Sequence, residues 1–220
     1  MIRKQFLVLS ATLLFVQISA KPAISQTDDP PKREAAADFS VLMREAFSTV
    51  RAEIGLGGRF TYNLNKNVAL EGAAYYFPQN CFDCVNNGNM IEVVGGIKAG
   101  KRFEKWGVFA KARPGFVRFS QGQFDILPGG TSPAFPFTFQ VKPLTSFATD
   151  VGAVLEFYPS RHIVTRFDAG DTIIKISDQT RNDLRFDPAT NTYTLVPGAF
   201  TIPGRLSHKF QFSASVGYRW

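Results

Sequence analysis

The groups in this chain that could do chemistry are few in kind: two histidines, one C-x-x-C pair, and charged residues recurring at alternate positions of apolar segments. Hydrolysis or acyl transfer by a histidine needs a serine and an acid within hydrogen-bond reach. Ser207 and His208 are consecutive, so on a strand they project to opposite faces and form no dyad. His162 falls beside an expected turn. Both histidines read as interfacial side chains, and no catalytic residue is assigned. Cys81-Phe82-Asp83-Cys84 lies in a polar loop. A redox role needs this motif at a helix start within a βαβ unit, and metal binding needs two further ligands; the sequence offers neither context. In an oxidising compartment Cys81 and Cys84 are expected to form a small local disulfide. No metal or cofactor is expected.

The largest polar constellation is ionic. Arg59, Lys98, Lys111, Arg113, Arg166 and Arg219 alternate with apolar neighbours, as do Glu53, Glu71, Glu92, Asp150, Glu156 and Asp168. Six bases against six acids predict a nearly neutral interior filled by ion pairs. The competing reading of the same residues is a gated pore or a proton path. A turn centred on Leu64-Asn65-Lys66 would set Arg59 opposite Glu71. A turn at Pro159-Ser160-Arg161 would bring Glu156 within one diagonal of Arg166, and Lys98 would face Lys111.

The elements that must position these charges are strands. In the last one, Phe210, Phe212, Ala214, Val216, Tyr218 and Trp220 share a face, and Gln211, Ser213, Ser215, Gly217 and Arg219 share the other. The same split recurs over 53–62, 67–77, 90–101, 106–118, 146–158 and 162–174. A weaker eighth strand, Phe39–Met43, is assigned partly because membrane barrels close on an even number. Pro114 lies inside a strand and predicts a bulge. Short turns at Asn63–Lys66, Phe103–Lys105 and Pro159–Arg161 alternate with long connections at Pro78–Asn89, Ser120–Leu144 and Ser177–Ser207. The last of these is expected to hold a hairpin around Asp187–Asn191. The apolar run Ala134–Phe139 either caps the barrel mouth or presents a surface to a partner.

Bulk properties agree with this organisation. Hydrophobic content of 45% and charged content of 20% exclude a disordered chain and a helical membrane bundle. The basic Arg3-Lys4, the apolar stretch Phe6–Ala20 and the small residues after it predict a signal peptide over 1–25, cleaved after Ser25 or alternatively after Ala20. A polar, flexible mature N-terminus is expected over 26–37 and the barrel over 38–220. Arg3, Lys4 and Lys21 account for three of the +7 charges, and the remaining +4 gives no argument for nucleic acid.

An eight-stranded soluble barrel would also show two unlike faces. Glycines concentrate on the charged face, where a crowded interior has use for them and a solvated exterior has none. Aromatics gather at strand ends, with Tyr62, Trp106, Phe157 and Trp220 toward the short turns and Tyr76, Phe116, Phe147 and Phe210 toward the long loops. These features favour an all-β, antiparallel, eight-stranded transmembrane barrel. The ending Val216-Gly217-Tyr218-Arg219-Trp220 resembles the assembly signal of outer-membrane proteins, with Val216, Tyr218 and Trp220 at its apolar positions. The segments GLGGRFTYNLN, KAGKRFEKWGVFAKARPGFVRFS and DVGAVLEFYPSRHIVTRFDAGDT resemble the small outer-membrane β-barrel domain family, which includes the transmembrane domain of outer-membrane protein A. The resemblance covers 39–220 and implies a Gram-negative-type outer membrane, with its lipids and the barrel assembly machinery as partners. The expected role is structural or surface-interacting, with an unidentified surface ligand; a narrow pore and a lipid-modifying enzyme are the alternatives.

Overall fold

The computed structural model of the chain describes residues 30–46, 49–80, 88–132 and 135–220. The expected signal peptide and the Cys81–Cys84 pair lie outside the described residues. The strands are β1 (Arg33–Ala46), β2 (Thr49–Asn63), β3 (Val68–Asn80), β4 (Gly88–Arg102), β5 (Trp106–Ser132), β6 (Phe135–Phe157), β7 (Ile163–Ile176), β8 (Gln179–Asp187), β9 (Thr192–Ile202) and β10 (Arg205–Arg219). Eight of them close into an antiparallel barrel in the order β1-β10-β7-β6-β5-β4-β3-β2, and β8 pairs with β9 alone.

The alternation read from the sequence becomes an inside and an outside. Along β10 and the Trp220 that follows it, Lys209, Gln211, Ser213, Ser215 and Arg219 are buried, while Phe210, Phe212, Val216, Tyr218 and Trp220 are exposed. The barrel is apolar outward and ionic inward, which is the polarity of a wall solvated by hydrocarbon. Both aromatic rings of residues face outward: Tyr62, Trp106, Phe157 and Trp220 near the short turns, Tyr76, Phe116, Phe147 and Phe210 beyond them. On β5, β6 and β10 the two tiers lie ten residues apart (Trp106 to Phe116, Phe157 to Phe147, Trp220 to Phe210). A tilted strand of about ten residues spans the roughly 30 Å hydrocarbon core of a bilayer.

Several expectations shift by small amounts. The β2–β3 register pairs Thr61 with Glu71 and Arg59 with Ala73, so Arg59 does not oppose Glu71. The turn is centred one residue later than expected, because the Asn65 carboxamide oxygen accepts from the backbone N–H of Asn67 and of Val68, each at 2.8 Å. Moving an antiparallel turn by one residue displaces every pair by two. Glu156 opposes Arg166 directly, and Lys98 faces Lys111. β1 starts at Arg33, inside the segment read as flexible, and pairs with both β10 and β2. Its outward Ala35 and Ala37 are too small to display an alternation.

The segment Ser120–Leu144 is largely strand. β5 and β6 run on past the barrel as one long hairpin, with a register shift between Phe119 and Gln123 where it leaves the wall. β8 and β9 form the second hairpin, as expected, turning over Pro188–Asn191 with Asn191 at φ 52°. Pro114 makes no bulge: Val94 pairs with Gly115 and Ile97 with Ala112 in one unbroken register. It faces outward, and the inward Gly96 lies so close to the β5 backbone that an added Cβ would stand 2.1 Å from the Ala112 carbonyl oxygen. Gly115 and Gly152 are the same case, at 2.0 Å from Val93 O and 2.3 Å from Ala169 O. Gly96, Gly115 and Gly152 therefore serve the tight curvature of the wall, while the inward Gly55 and Gly57 also leave room for the rings of Phe77 and Tyr75, which an added Cβ would meet at 2.5 and 2.4 Å.

Candidate functional site

The twelve charged residues singled out from the sequence are all buried inside the barrel. Glu34 and Asp38 of β1, Arg102 of β4 and Lys209 of β10 join them, giving eight acids and eight bases among the described residues. Sequence reasoning missed Glu34 and Asp38 because the strand that carries them lacks large outward residues.

The network crosses the lumen. Glu71 on β3 meets Arg166 on β7, four strands round an eight-stranded ring and so on the opposite wall. The second Arg166 amino group (Nη2) donates to Glu71 Oε2 at 3.1 Å, and its Nε donates to Asp168 at 2.8 Å. Glu71 also lies 3.4 Å from Lys98 Nζ and 3.6 Å from an Arg113 amino nitrogen. Glu156 takes the other contact of Lys98, and the Tyr158 hydroxyl donates to it at 2.8 Å. Asp150 binds Arg113 through Nε at 2.9 Å and Lys111 at 2.9 Å. Arg59 reaches Asp38 at 3.2 Å and Asp168 at 3.7 Å, in place of the expected Glu71. Arg59, Lys98, Arg113 and Arg166 thus reach acids on other strands, which ties the walls together across the axis.

Toward the loops the interior changes character. Leu42, Phe77, Met90, Val94, Val117, Phe119, Ile174 and Ile176 form a buried apolar cluster inside the barrel. The sequence carried a signal for it in doubled apolar pairs, Tyr76-Phe77, Val93-Val94, Phe116-Val117 and Ile173-Ile174, where both faces of a strand are apolar. Glu92 sits at the boundary, opposite Tyr75 and Val117. It is fully buried, and neither carboxylate oxygen has a hydrogen-bond partner among the described residues.

Above the wall, the two hairpins touch each other. The Asn182 amide donates to the Ile126 carbonyl at 2.9 Å. Phe124 stacks on Phe139 at 5.3 Å between centroids, Phe135 meets Tyr193 at 5.8 Å, and Tyr193 meets Phe186 at 5.1 Å. Phe139, Phe186, Tyr193 and Phe200 remain exposed. The described part of the Ala134–Phe139 run therefore belongs to a surface aromatic cluster.

The histidines stay apart. The ring Nδ1 of His162 lies 3.1 Å from the Arg219 carbonyl, and its ring stacks on Tyr218. His208 Nδ1 lies 2.6 Å from Asp171 on the outer face, while Ser207 projects the other way. Among the described residues no serine hydroxyl is hydrogen-bonded to this histidine–carboxylate pair.

No protein-family model matches the chain, and no curated protein matches it. Among solved structures it is similar to Neisserial surface protein A at 12% identity, over 86% of this chain and 97% of that one, with TM-score 0.49. It is similar to the attachment invasion locus protein Ail of Yersinia pestis at 13% identity, over 87% and 99%, with TM-score 0.46. The outer-membrane protease OmpT of Escherichia coli aligns at 9% identity, over 89% and 99%, with TM-score 0.39.

Proposed function

We propose that this protein is an outer-membrane barrel, closed to solutes, that displays its two hairpins to an extracellular macromolecule without catalysing a reaction. The observation that carries the reading is the aromatic cluster of β5–β6 and β8–β9. Rings such as Phe139, Phe186 and Tyr193 stand exposed on strands that have left the apolar belt and its lipid. A clustered aromatic surface in water marks a contact site. The filled lumen beneath supports a rigid pedestal in place of a channel.

Two measurements test this. The mature chain should fractionate with the outer membrane and migrate differently on gels before and after boiling; recovery as a soluble periplasmic protein would remove the basis of the proposal. Refolded protein should bind at least one polysaccharide or matrix protein on an immobilised panel. Phe139→Ser with Tyr193→Ser should lose that binding while the barrel stays folded. Binding retained by the double variant would place the contact elsewhere and sink the aromatic assignment.

A further inference from the structure

The two rims of the barrel differ in charge. On the loop side the signs nearly cancel. Lys142 stands against Asp125 on the first hairpin, and Arg181 and Arg185 against Asp183 and Asp187 on the second. At their feet Arg118, Lys175 and Arg205 stand with Asp171 and Asp178. The short-turn rim is unbalanced. Lys32, Arg33, Lys66, Lys101 and Lys105 are all exposed there, and none has a carboxylate partner among the described residues. Against them stand Glu104 and the carboxylate that ends the chain at Trp220.

Backbone bonds gather the five cations into one arc. The Asn63 N–H donates to the Lys32 carbonyl at 2.8 Å, and the Gly100 N–H donates to the Asn67 carbonyl at 2.8 Å. The β2–β3 turn with Lys66 therefore lies between the start of β1 and the end of β4. The arc runs from β1 through β2, β3 and β4 to the turn into β5, neighbours in the ring, across about 19 Å at the usual strand spacing. Its height is set by the aromatic tier. Arg33 pairs with Tyr62, Lys105 precedes Trp106, and Lys101 Nζ lies 5.4 Å from the centre of the Phe103 ring. Rings of this kind mark the level at which hydrocarbon gives way to headgroups. Arg33 and Lys101 keep the outward parity of Ala35 and Ala99, so their stems lie on the outer wall and their charged ends reach the headgroup layer.

We propose that this arc binds anionic glycerophospholipids of the inner leaflet, with their phosphates between neighbouring cations and their acyl chains against the apolar belt. The proposal rests on the membrane reading above, with the short turns toward the periplasm. Unanswered positive charge at a membrane surface draws anionic headgroups, and each further cation adds to the attraction. Reach separates a lipid from a periplasmic polymer or protein. The turns at 64–67 and 103–105 are four and three residues long, so they rise only about 7 Å beyond the wall. A partner standing off the membrane lies beyond them, whereas headgroups surround them. The loop side, nearly neutral, exerts no such pull, so the preference belongs to one leaflet.

The test uses the refolded full chain in phosphatidylcholine nanodiscs containing a minor fraction of phosphatidylglycerol. Lipid retained by the protein after detergent extraction is read by mass spectrometry. Wild type should enrich phosphatidylglycerol over phosphatidylcholine by about tenfold relative to the disc, and Lys66→Gln with Lys101→Gln and Lys105→Gln should remove most of that preference. Lys142→Gln with Arg181→Gln and Arg185→Gln takes the same charge from the loop side and should leave the preference intact. In wild type alone, raising salt to about 0.5 M should shrink it. Equal preference in wild type and the short-turn variant would overturn the site. So would an equal loss in the loop-side variant, a preference indifferent to salt, or displacement of the lipid by millimolar glycerol phosphate. Arc-dependent binding to isolated cell-wall sacculi without a lipid preference would assign the cations to the wall polymer and overturn the lipid. Insertion, checked by heat-dependent gel migration, separates the two readings. Failure of wild type to insert would overturn the membrane reading along with the site, whereas insertion without selective retention would overturn the site alone.

Discussion

At the scale of single residues, the buried carboxylates divide by whether their charge is answered. Asp150 answers both Lys111 and Arg113, so its loss would leave two buried cations short of an acid. Asp150→Ala should destabilise the barrel by about 3–5 kcal/mol in urea unfolding, because an uncompensated buried charge costs far more than a pair gains. Glu92 offers the contrast, since neither of its oxygens has a hydrogen-bond partner among the described residues. Glu92→Gln should leave stability unchanged or raise it by roughly 1 kcal/mol. A loss at Glu92 equal to that at Asp150 would show that Glu92 holds a partner through solvent. On the outside, Lys142 bonds Asp125 at 2.9 Å across the β5–β6 hairpin and holds the Asp125 carboxyl below the usual carboxylate range. A depressed pKa means that the hairpin gains stability above the ordinary aspartate value and loses it as pH falls through the lowered one. The pair is partly exposed, so the effect is small. Amide protection along β5 beyond Phe119, corrected for the intrinsic slowing of exchange in acid, should fall modestly on acidification, and Lys142→Met should weaken that pH dependence. An unchanged profile in the variant would show that another group titrates.

At the scale of elements, closure depends on the seam between β1 and β10. Arg33 and Trp220 exchange two backbone hydrogen bonds at 3.0 and 2.9 Å, and the Trp220 ring packs against Tyr218 and Phe60 on the outer face. Trp220→Ala keeps the backbone bonds and removes the ring. If the ring serves recognition during assembly, the folded fraction in cells should fall severalfold while refolding into detergent in vitro is nearly unaffected. Equal losses in both settings would assign Trp220 to packing. The same elements show what a sequence can convey. Seven wall strands were legible because a membrane wall forces large apolar and polar residues to alternate, and the twelve charges that share the polar parity are buried. β1 was legible only from Phe39 onward, since Ala35 and Ala37 give no contrast. The length of β5 and β6 was hidden for a different reason. Beyond the belt no bilayer enforces two unlike faces, so Gln123–Pro128 and Phe137–Lys142 pair as strands while reading as loop. Register was the least legible feature, because one asparagine side chain in the β2–β3 turn moved every pair by two.

At the scale of the whole molecule, the closed barrel proposed above would be shut at two levels by different physics. Nearer the short turns, Glu71, Arg166, Lys98 and Glu156 bridge opposite walls with charge. Nearer the loops, Phe77, Met90, Phe119 and Ile174 fill the bore with hydrocarbon. An ion would have to displace paired charges at the first level and enter a dry constriction at the second, where hydrophobic packing blocks conduction by excluding water. The levels act in series, so opening one leaves the other closed. Planar-bilayer recordings of wild type should show no stepwise conductance. Glu71→Ala with Arg166→Ala should remain silent, because the apolar level still stands, and Phe77→Ala with Phe119→Ala should remain silent behind the intact ion pairs. The four changes together should produce discrete openings, provided heat-dependent gel migration shows that the variant has folded. Conductance in wild type would promote the pore over the pedestal. Openings from the charge variant alone would show that the apolar level leaks, and that ion pairs are the only gate.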